Sequence, residues 1–191
     1  MNYPQRKRNR LADYDYSENG AYFITICTEN KKCCLSHIQC IDTETQITLT
    51  RKGQIVERFV GEIPIKYPTV SVDHYVIMPN HVHLLLRIDR SRGTEGDGTG
   101  NPSPTEGDGT GNPSPTEGDG TGNPSPTVGN VIGWFKYQTT KAINEAEKNK
   151  ASFWQRSYFD HVIRDETDYR IRWNYMDGNP ARWAEDKYYS V

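Results

Sequence analysis

His74-Tyr75-Val76-Ile77-Met78-Pro79-Asn80-His81-Val82-His83-Leu84-Leu85-Leu86 is the stretch that decides the fold. Met78-Pro79-Asn80 is a tight-turn signal between two apolar, β-branched runs. It predicts one strand over Thr69 to Met78 and a second, returning antiparallel, over His81 to Asp89. Successive side chains on a strand point to opposite faces. His81 and His83 therefore project the same way, and Val82, Leu84, Leu86 and Ile88 form a continuous apolar face on the other side. Two imidazoles one pleat apart are placed to share a divalent cation. A bare HxH is more often a pair of structural histidines, so the rest of the chain has to decide.

Outward from this hairpin, Ala21 to Thr28 alternates Tyr22, Ile24 and Ile26 against Phe23, Thr25 and Cys27, a strand after the Asn19-Gly20 turn. Gln46 to Thr50 reads as a short extra strand. From Lys52 the period changes, and Ile55, Phe59 and Ile63, with Val56 and Val60, make one helical stripe. Val131, Trp134, Phe135 and Ala142 mark a helix from about Val128 to Glu147. Phe153 to Ile163 reads as a last strand or extended segment. Thr167 to Asp177 is a final helix, with Asp165 and Glu166 near its start and Gly178 and Pro180 after it. The order strand, helix, strand, strand, helix, strand, helix predicts an α+β fold: a ferredoxin-like split βαβ with an antiparallel sheet and an added C-terminal helix.

The hydrophobic fraction of 34% is low for 191 residues. A repeat accounts for it. TEGDGTGNPSP at 94–104 recurs at 105–115 and 116–126, and no copy contains a large apolar residue. Such a segment cannot bury enough surface to offset its ordering entropy, and 94–126 is expected to be a disordered insert within one domain spanning 1–191. Each copy carries one Glu and one Asp, −6 in all, so the net charge of −2 leaves +4 on the remainder. That balance suits a nucleic-acid binder weakly. The basic arm Arg6-Lys7-Arg8-Asn9-Arg10 and the group Arg156, Arg164, Arg170 and Arg172 suit it better, although solvated charge is the alternative for both. No run approaches the length of a membrane span, and the polar N-terminus is unlike a signal peptide. The expected location is cytoplasmic, nucleoid-associated if the source is bacterial. Cys27, Cys33, Cys34 and Cys40 are then expected to be reduced. Cys33-Cys34-x-x-His37-x-x-Cys40 has zinc-ligand residue types, but its spacing is irregular and no second ligand pair follows. A zinc-stabilised regulatory domain is the reading that metal analysis would separate.

The last predicted helix gives a metal something to do. Tyr175 and Asn179 are four apart and share a helical face. A phenol of pKa about 10 is a poor nucleophile at neutral pH, but it becomes a useful one beside a phosphate polarised by a divalent cation. Asn179 offers a neutral oxygen ligand, or alternatively caps the helix. Tyr137 and Tyr169 also fall on predicted helices, yet four residues after them stand Lys141 and Trp173, neither of which suits a metal.

Together these blocks are specific. The run 74–86 resembles the signature of the single-tyrosine HUH transposases. So do Phe153-Trp154-Gln155-Arg156-Ser157-Tyr158-Phe159-Asp160-His161-Val162-Ile163-Arg164-Asp165-Glu166, then Asp168-Tyr169-Arg170, and Tyr175-x-x-x-Asn179-Pro180. The REP-associated tyrosine transposase branch carries the blocks in this order, and Arg10-Leu11-x-x-Tyr14-x-Tyr16 leading to Gly20–Cys27 is similar to it too. The resemblance implies that His81 and His83 bind Mg²⁺ or Mn²⁺, with Asn179 at the third ligand position, where many relatives have Gln. It implies that Tyr175 forms a 5′-phosphotyrosine link to single-stranded DNA and releases a 3′-OH. It further implies DNA transposition, with a single-stranded or hairpin DNA partner and a possible homodimer. Arg6, Lys7, Arg8 and Arg10 would contact DNA as an arm, and Arg156, Arg164, Arg170 and Arg172 would contact the strand entering the site. The rival reading is a DNA-hairpin-binding protein that no longer moves DNA.

The repeat yields a direct expectation. Closure entropy grows logarithmically, and doubling a flexible loop costs only about 0.6 kcal/mol. Deleting one or two of the eleven-residue copies should leave the melting temperature and any DNA cleavage nearly unchanged. Loss of either in the deletion would give the repeat a structural or functional role.

Overall fold

A computed structural model of the chain describes residues 19–42, 44–93 and 126–189. The basic arm at 6–10 and, except for Pro126, the repeat at 94–126 lie outside the described residues.

Strands β1 (Gly20–Cys27), β4 (Val70–Ile77), β5 (His81–Ile88) and β6 (Phe159–Ile163) form one antiparallel sheet in the order β4-β5-β1-β6. Helix α1 (Arg51–Lys66) joins β1 to β4, and α2 (Val128–Glu147) follows β5 and precedes β6. Each helix links two strands that run parallel with a third strand between them, so both crossovers are split βαβ units. Helix α3 (Glu166–Gly178) is the addition at the C-terminus. The α+β, ferredoxin-like architecture read from the sequence is the one observed. No helix among the described residues is long and apolar enough to cross a membrane.

The pleat divides the sheet into two unequal faces. Tyr22, Ile24 and Ile26 of β1 and Val82, Leu84, Leu86 and Ile88 of β5 meet Val56, Phe59, Val60 and Ile63 of α1 and Val131, Ile132 and Phe135 of α2. This is the main core. Phe23, Val76, Met78 and Leu85 point the other way and pack on Met176, with Tyr169, Trp173, Tyr175 and Trp183 around them. The second face is smaller and more aromatic, and it is the face that carries the histidines.

Two differences from the sequence reading have local causes. The single short strand expected at Gln46 to Thr50 is the second arm of a hairpin, β2 (Ser36–Ile41) and β3 (Glu44–Leu49), which forms its own two-stranded sheet. β2 alternates weakly and is cysteine-containing, so its pairing is set by β3 rather than by its own pattern. The last strand is also shorter than Phe153 to Ile163. Trp154 makes one isolated bridge with Thr28 and then turns its ring into the main core, where Nε1 donates to Thr139 Oγ1 at 2.8 Å. Anchoring that indole takes the preceding chain out of the ladder.

Gly53, in the first turn of α1, marks where the hairpin meets the core. Thr50 Oγ1 accepts from Gly53 N at 3.1 Å and donates to the Cys34 and Leu35 carbonyls, a helix cap that also holds the chain before β2. A Cβ at Gly53 would collide with the Leu35 carbonyl oxygen. Gly53→Ala gains helix propensity but forces the backbones apart. The expected outcome is a net loss of roughly 1–3 kcal/mol, read as a lower melting temperature. A more stable variant would show that this contact yields freely.

Candidate active site

β5 opens with the two histidines, and both are fully buried. Their outer ring nitrogens are tethered. His81 Nδ1 lies 2.8 Å from Asn80 Oδ1, and Asn80 Nδ2 donates to the carbonyls of Lys31 (3.2 Å) and Tyr188 (2.8 Å). Those two donations fix the amide's orientation, so its oxygen faces His81 and Nδ1 carries the proton. The antiparallel register sets Thr25 of β1 opposite His83, and Thr25 Oγ1 lies 2.8 Å from His83 Nδ1. A hydroxyl can accept or donate there, so it suits either tautomer. With both rings held from behind, the Nε2 atoms face each other at 3.0 Å. Two adjacent ligands at about 2.1 Å in an octahedron stand about 3.0 Å apart. The pair is spaced for one hard divalent cation.

α3 crosses this face of the sheet. Asp165 caps it, accepting from Asp168 N at 2.8 Å. Tyr175 lies two turns further on, with its ring 5.4 Å from that of His83 and 6.0 Å from that of Phe23, which itself stacks on His83 at 5.0 Å. Asn179 keeps right-handed helical geometry (φ −62°, ψ −44°) despite the proline after it, so it stays near the Tyr175 face while capping the helix. Its side chain is buried, and its Nδ2 has no hydrogen-bond partner among the described residues.

The chain after α3 closes over the pair. The Tyr188 ring lies 4.7 Å from that of His81, and the Trp183 ring 5.9 Å away. Between them Asp186 accepts the Tyr175 hydroxyl at Oδ2 (3.1 Å) and the Tyr188 N–H at Oδ1 (2.6 Å). His81, His83 and Asp186 each offer a ligand atom, all within 4.8 Å of one another, and this is the one such group among the described residues. These three residues could hold a metal ion. A cleft of about 240 Å³ opens beside them, lined by Tyr175, Asn179, Arg182, Glu185, Asp186 and Lys187.

Burial sets the electrostatics. It pushes the imidazoles of His81 and His83 well below their ordinary range, His83 further depressed by the charge of His81. Burial, and next the Asp186 carboxylate, push the Tyr175 phenol upward, while Asn179 works the other way. The histidines imply an acid-sensitive fold. Unfolded imidazole takes up its proton near pH 6.5 whereas the folded pair stays neutral to lower pH, so the unfolded state binds more protons in that window. Metal-free protein is expected to melt at progressively lower temperature as pH falls from about 6.5 toward about 4. A flat profile, measured in EDTA, would contradict the burial of the pair.

Of the residues singled out from sequence, His81, His83 and Tyr175 are brought together, and Asn179 lines the cleft beside Tyr175. Arg172 borders it, with its guanidinium 5.6 Å from the Phe23 ring and its Nε 3.4 Å from Asp168 Oδ1. Arg156, Arg164 and Arg170 are exposed, and no hydrogen bond or ring contact among the described residues joins them to the histidines. Arg6, Lys7, Arg8 and Arg10 lie outside the described residues. Tyr137 is exposed and Tyr169 donates to Asp73, so neither reaches the histidines. Cys33 and Cys40 are exposed, and the cysteine cluster forms no ligand group. Sequence reasoning missed Asp186, Asn80 and Thr25. Thr25 was legible as the polar residue on an otherwise apolar strand. No local pattern around Asp186 points to the site.

The antiparallel sheet with its added C-terminal helix has a counterpart of the same fold among solved structures. The solved structure of the REP-associated tyrosine transposase bound to a REP hairpin matches it with a TM-score of 0.55, covering 93% of this chain and 77% of that one at 19% identity. No family model matches the chain. An uncharacterized protein of Haemophilus influenzae is 36% identical over 187 residues, 96% of this chain and 93% of its own length, and the chain belongs to the same family as that protein.

Proposed function

We propose that the protein is a metal-dependent single-stranded DNA endonuclease and strand transferase that uses Tyr175 as nucleophile. The observation that carries this reading is the meeting of Tyr175 with two Nε2 atoms 3.0 Å apart in one pocket. His81 and His83 would hold a divalent ion, Mg²⁺ or Mn²⁺, with an oxygen from Asn179 as a further ligand. When bound, that ion neutralises the scissile phosphate and stabilises the leaving 3′ oxygen. Tyr175 attacks from α3, a helix held on the sheet by Met176, so its ring is presented at a fixed angle. The product is a 5′-phosphotyrosine and a free 3′-OH. The link conserves the phosphodiester energy, and a second 3′-OH can reseal the strand without a nucleotide cofactor. Arg172 lies one turn before Tyr175 and supplies charge for the incoming phosphate.

The fold likeness to a transposase bound to a DNA hairpin supports a hairpin or single-stranded partner. Labelled single-stranded hairpin DNA incubated with the protein and Mn²⁺ should yield a protein–DNA adduct on a denaturing gel. Binding without any adduct, over a range of hairpins, would favour a DNA-hairpin-binding protein that no longer moves DNA.

A further inference from the structure

We infer that Asp186 is a catalytic residue, the general base that removes the phenol proton of Tyr175; this rests on the reading of Tyr175 as nucleophile. The geometry is direct. Tyr175 donates to Asp186 Oδ2 at 3.1 Å, and Asp186 Oδ1 is held from behind by the Tyr188 N–H at 2.6 Å. The carboxylate is thus aimed at the phenol by the backbone of its own segment. That segment is fixed in turn: Asn80 Nδ2 donates to the Tyr188 carbonyl, and Lys31 Nζ lies 3.4 Å from the Lys187 carbonyl.

The chemistry requires a base. The phenol sits in a half-buried, apolar setting that favours its neutral form, and a neutral phenol attacks a phosphodiester poorly. The imidazoles are poor alternatives. Their Nδ1 atoms are engaged by Asn80 and Thr25, and their Nε2 atoms are turned toward each other. Asp186 is a carboxylate within hydrogen-bond reach of the reacting oxygen, which is the first criterion for a general base.

In the step, the Tyr175 oxygen forms its bond to phosphorus as the bond from phosphorus to the 3′ oxygen breaks. The phenol proton passes to Asp186 Oδ2. The 3′ oxygen leaves with the electron pair of the broken bond and takes a proton from solvent water. The hydroxide so formed is neutralised by the proton that Asp186 gives up. On resealing the sequence runs backwards: Asp186 regains a proton from solvent water, the hydroxide left behind takes the proton of the attacking 3′-OH, and Asp186 gives its proton to the departing phenolate. The same segment that covers the histidines therefore completes the reaction chemistry, and the active site extends beyond Tyr175 and Asn179 toward the C-terminus.

Asp186 also lies among the metal-ligating atoms, so the test must separate a base from a ligand. Asp186→Asn keeps the shape and the acceptor for Tyr188 N–H, and Asp186→Ser serves as a second variant should the first fail to fold. Adduct formation is timed on labelled single-stranded hairpin DNA with Mn²⁺, and Mn²⁺ affinity is measured separately on the free protein by electron paramagnetic resonance. A general base contributes on the order of 10²–10⁴-fold, so adduct formation should slow by at least ~100-fold while Mn²⁺ affinity stays close to wild type. Placing 3,5-difluorotyrosine, a more acidic phenol, at position 175 should recover a large part of the lost rate in the variant and little in the parent. Undiminished adduct formation in Asp186→Asn overturns the assignment. So does a loss of rate that tracks a loss of Mn²⁺ affinity without recovery by the fluorinated phenol, which would make Asp186 a ligand. Adduct that persists in Tyr175→Phe would instead overturn the nucleophile itself, leaving the two failures distinguishable.

Discussion

Tyr175→Phe is expected to form no covalent adduct with single-stranded DNA while binding the same DNA within about two-fold of wild type. The substitution removes one oxygen and keeps the ring that packs edge-on to Phe23 and His83. It also deletes the hydrogen bond to Asp186, a part-buried contact worth about 1 kcal/mol, so the fold should survive. Denaturing gels read the adduct and filter binding reads the affinity. Tyr137→Phe and Tyr169→Phe are the controls, since both residues are on helices but away from the histidines. Adduct lost in a control and kept in Tyr175→Phe would move the nucleophile elsewhere.

The second large effect is expected at His81 and His83. Replacing either by Ala should weaken divalent-ion binding by more than ~100-fold, since even outer partners of metal ligands are worth 10–100-fold, and cleavage should fall with it. EDTA should stop the wild type, with Mn²⁺ or Mg²⁺ restoring it. Both rings are fully buried, so each variant also opens a cavity beneath Tyr188 and Trp183 and should melt at lower temperature. Metal titration well below the melting point separates the two effects. Undiminished cleavage in EDTA would exclude a metal mechanism.

Much of this was legible along the chain because one strand encodes two faces. The alternation from His81 to Ile88 assigns Val82, Leu84, Leu86 and Ile88 to the helices and the histidines to the opposite side, and the sheet obeys it. Helix α2 follows its stripe from Val128 to Glu147 as read. The losses came where structure is set by distant partners. β2 is defined by β3 rather than by its own pattern. The strand expected from Phe153 is interrupted where Trp154, after one isolated bridge, packs its ring into the main core and donates to Thr139. Asn179 precedes a proline, which disfavours helical geometry, yet it stays helical, and the short 3₁₀ segment Pro180–Glu185 continues the turn. Asp186 was invisible for a different reason. Its position depends on how the last described residues fold back across β5, and no periodicity reports a fold-back.

The polarity of β5 has an evolutionary side. The histidines occupy its first and third residues, and the eleven-residue repeat follows its opposite end. Eight residues of strand carry the chain roughly 23 Å from His81 before that connection begins. Each repeat is a whole number of codons, so slippage during replication adds or removes a unit without shifting the reading frame. If deletion of a copy proves as harmless as expected, copy number is free to drift in a lineage while the histidine end of the strand is inherited unchanged.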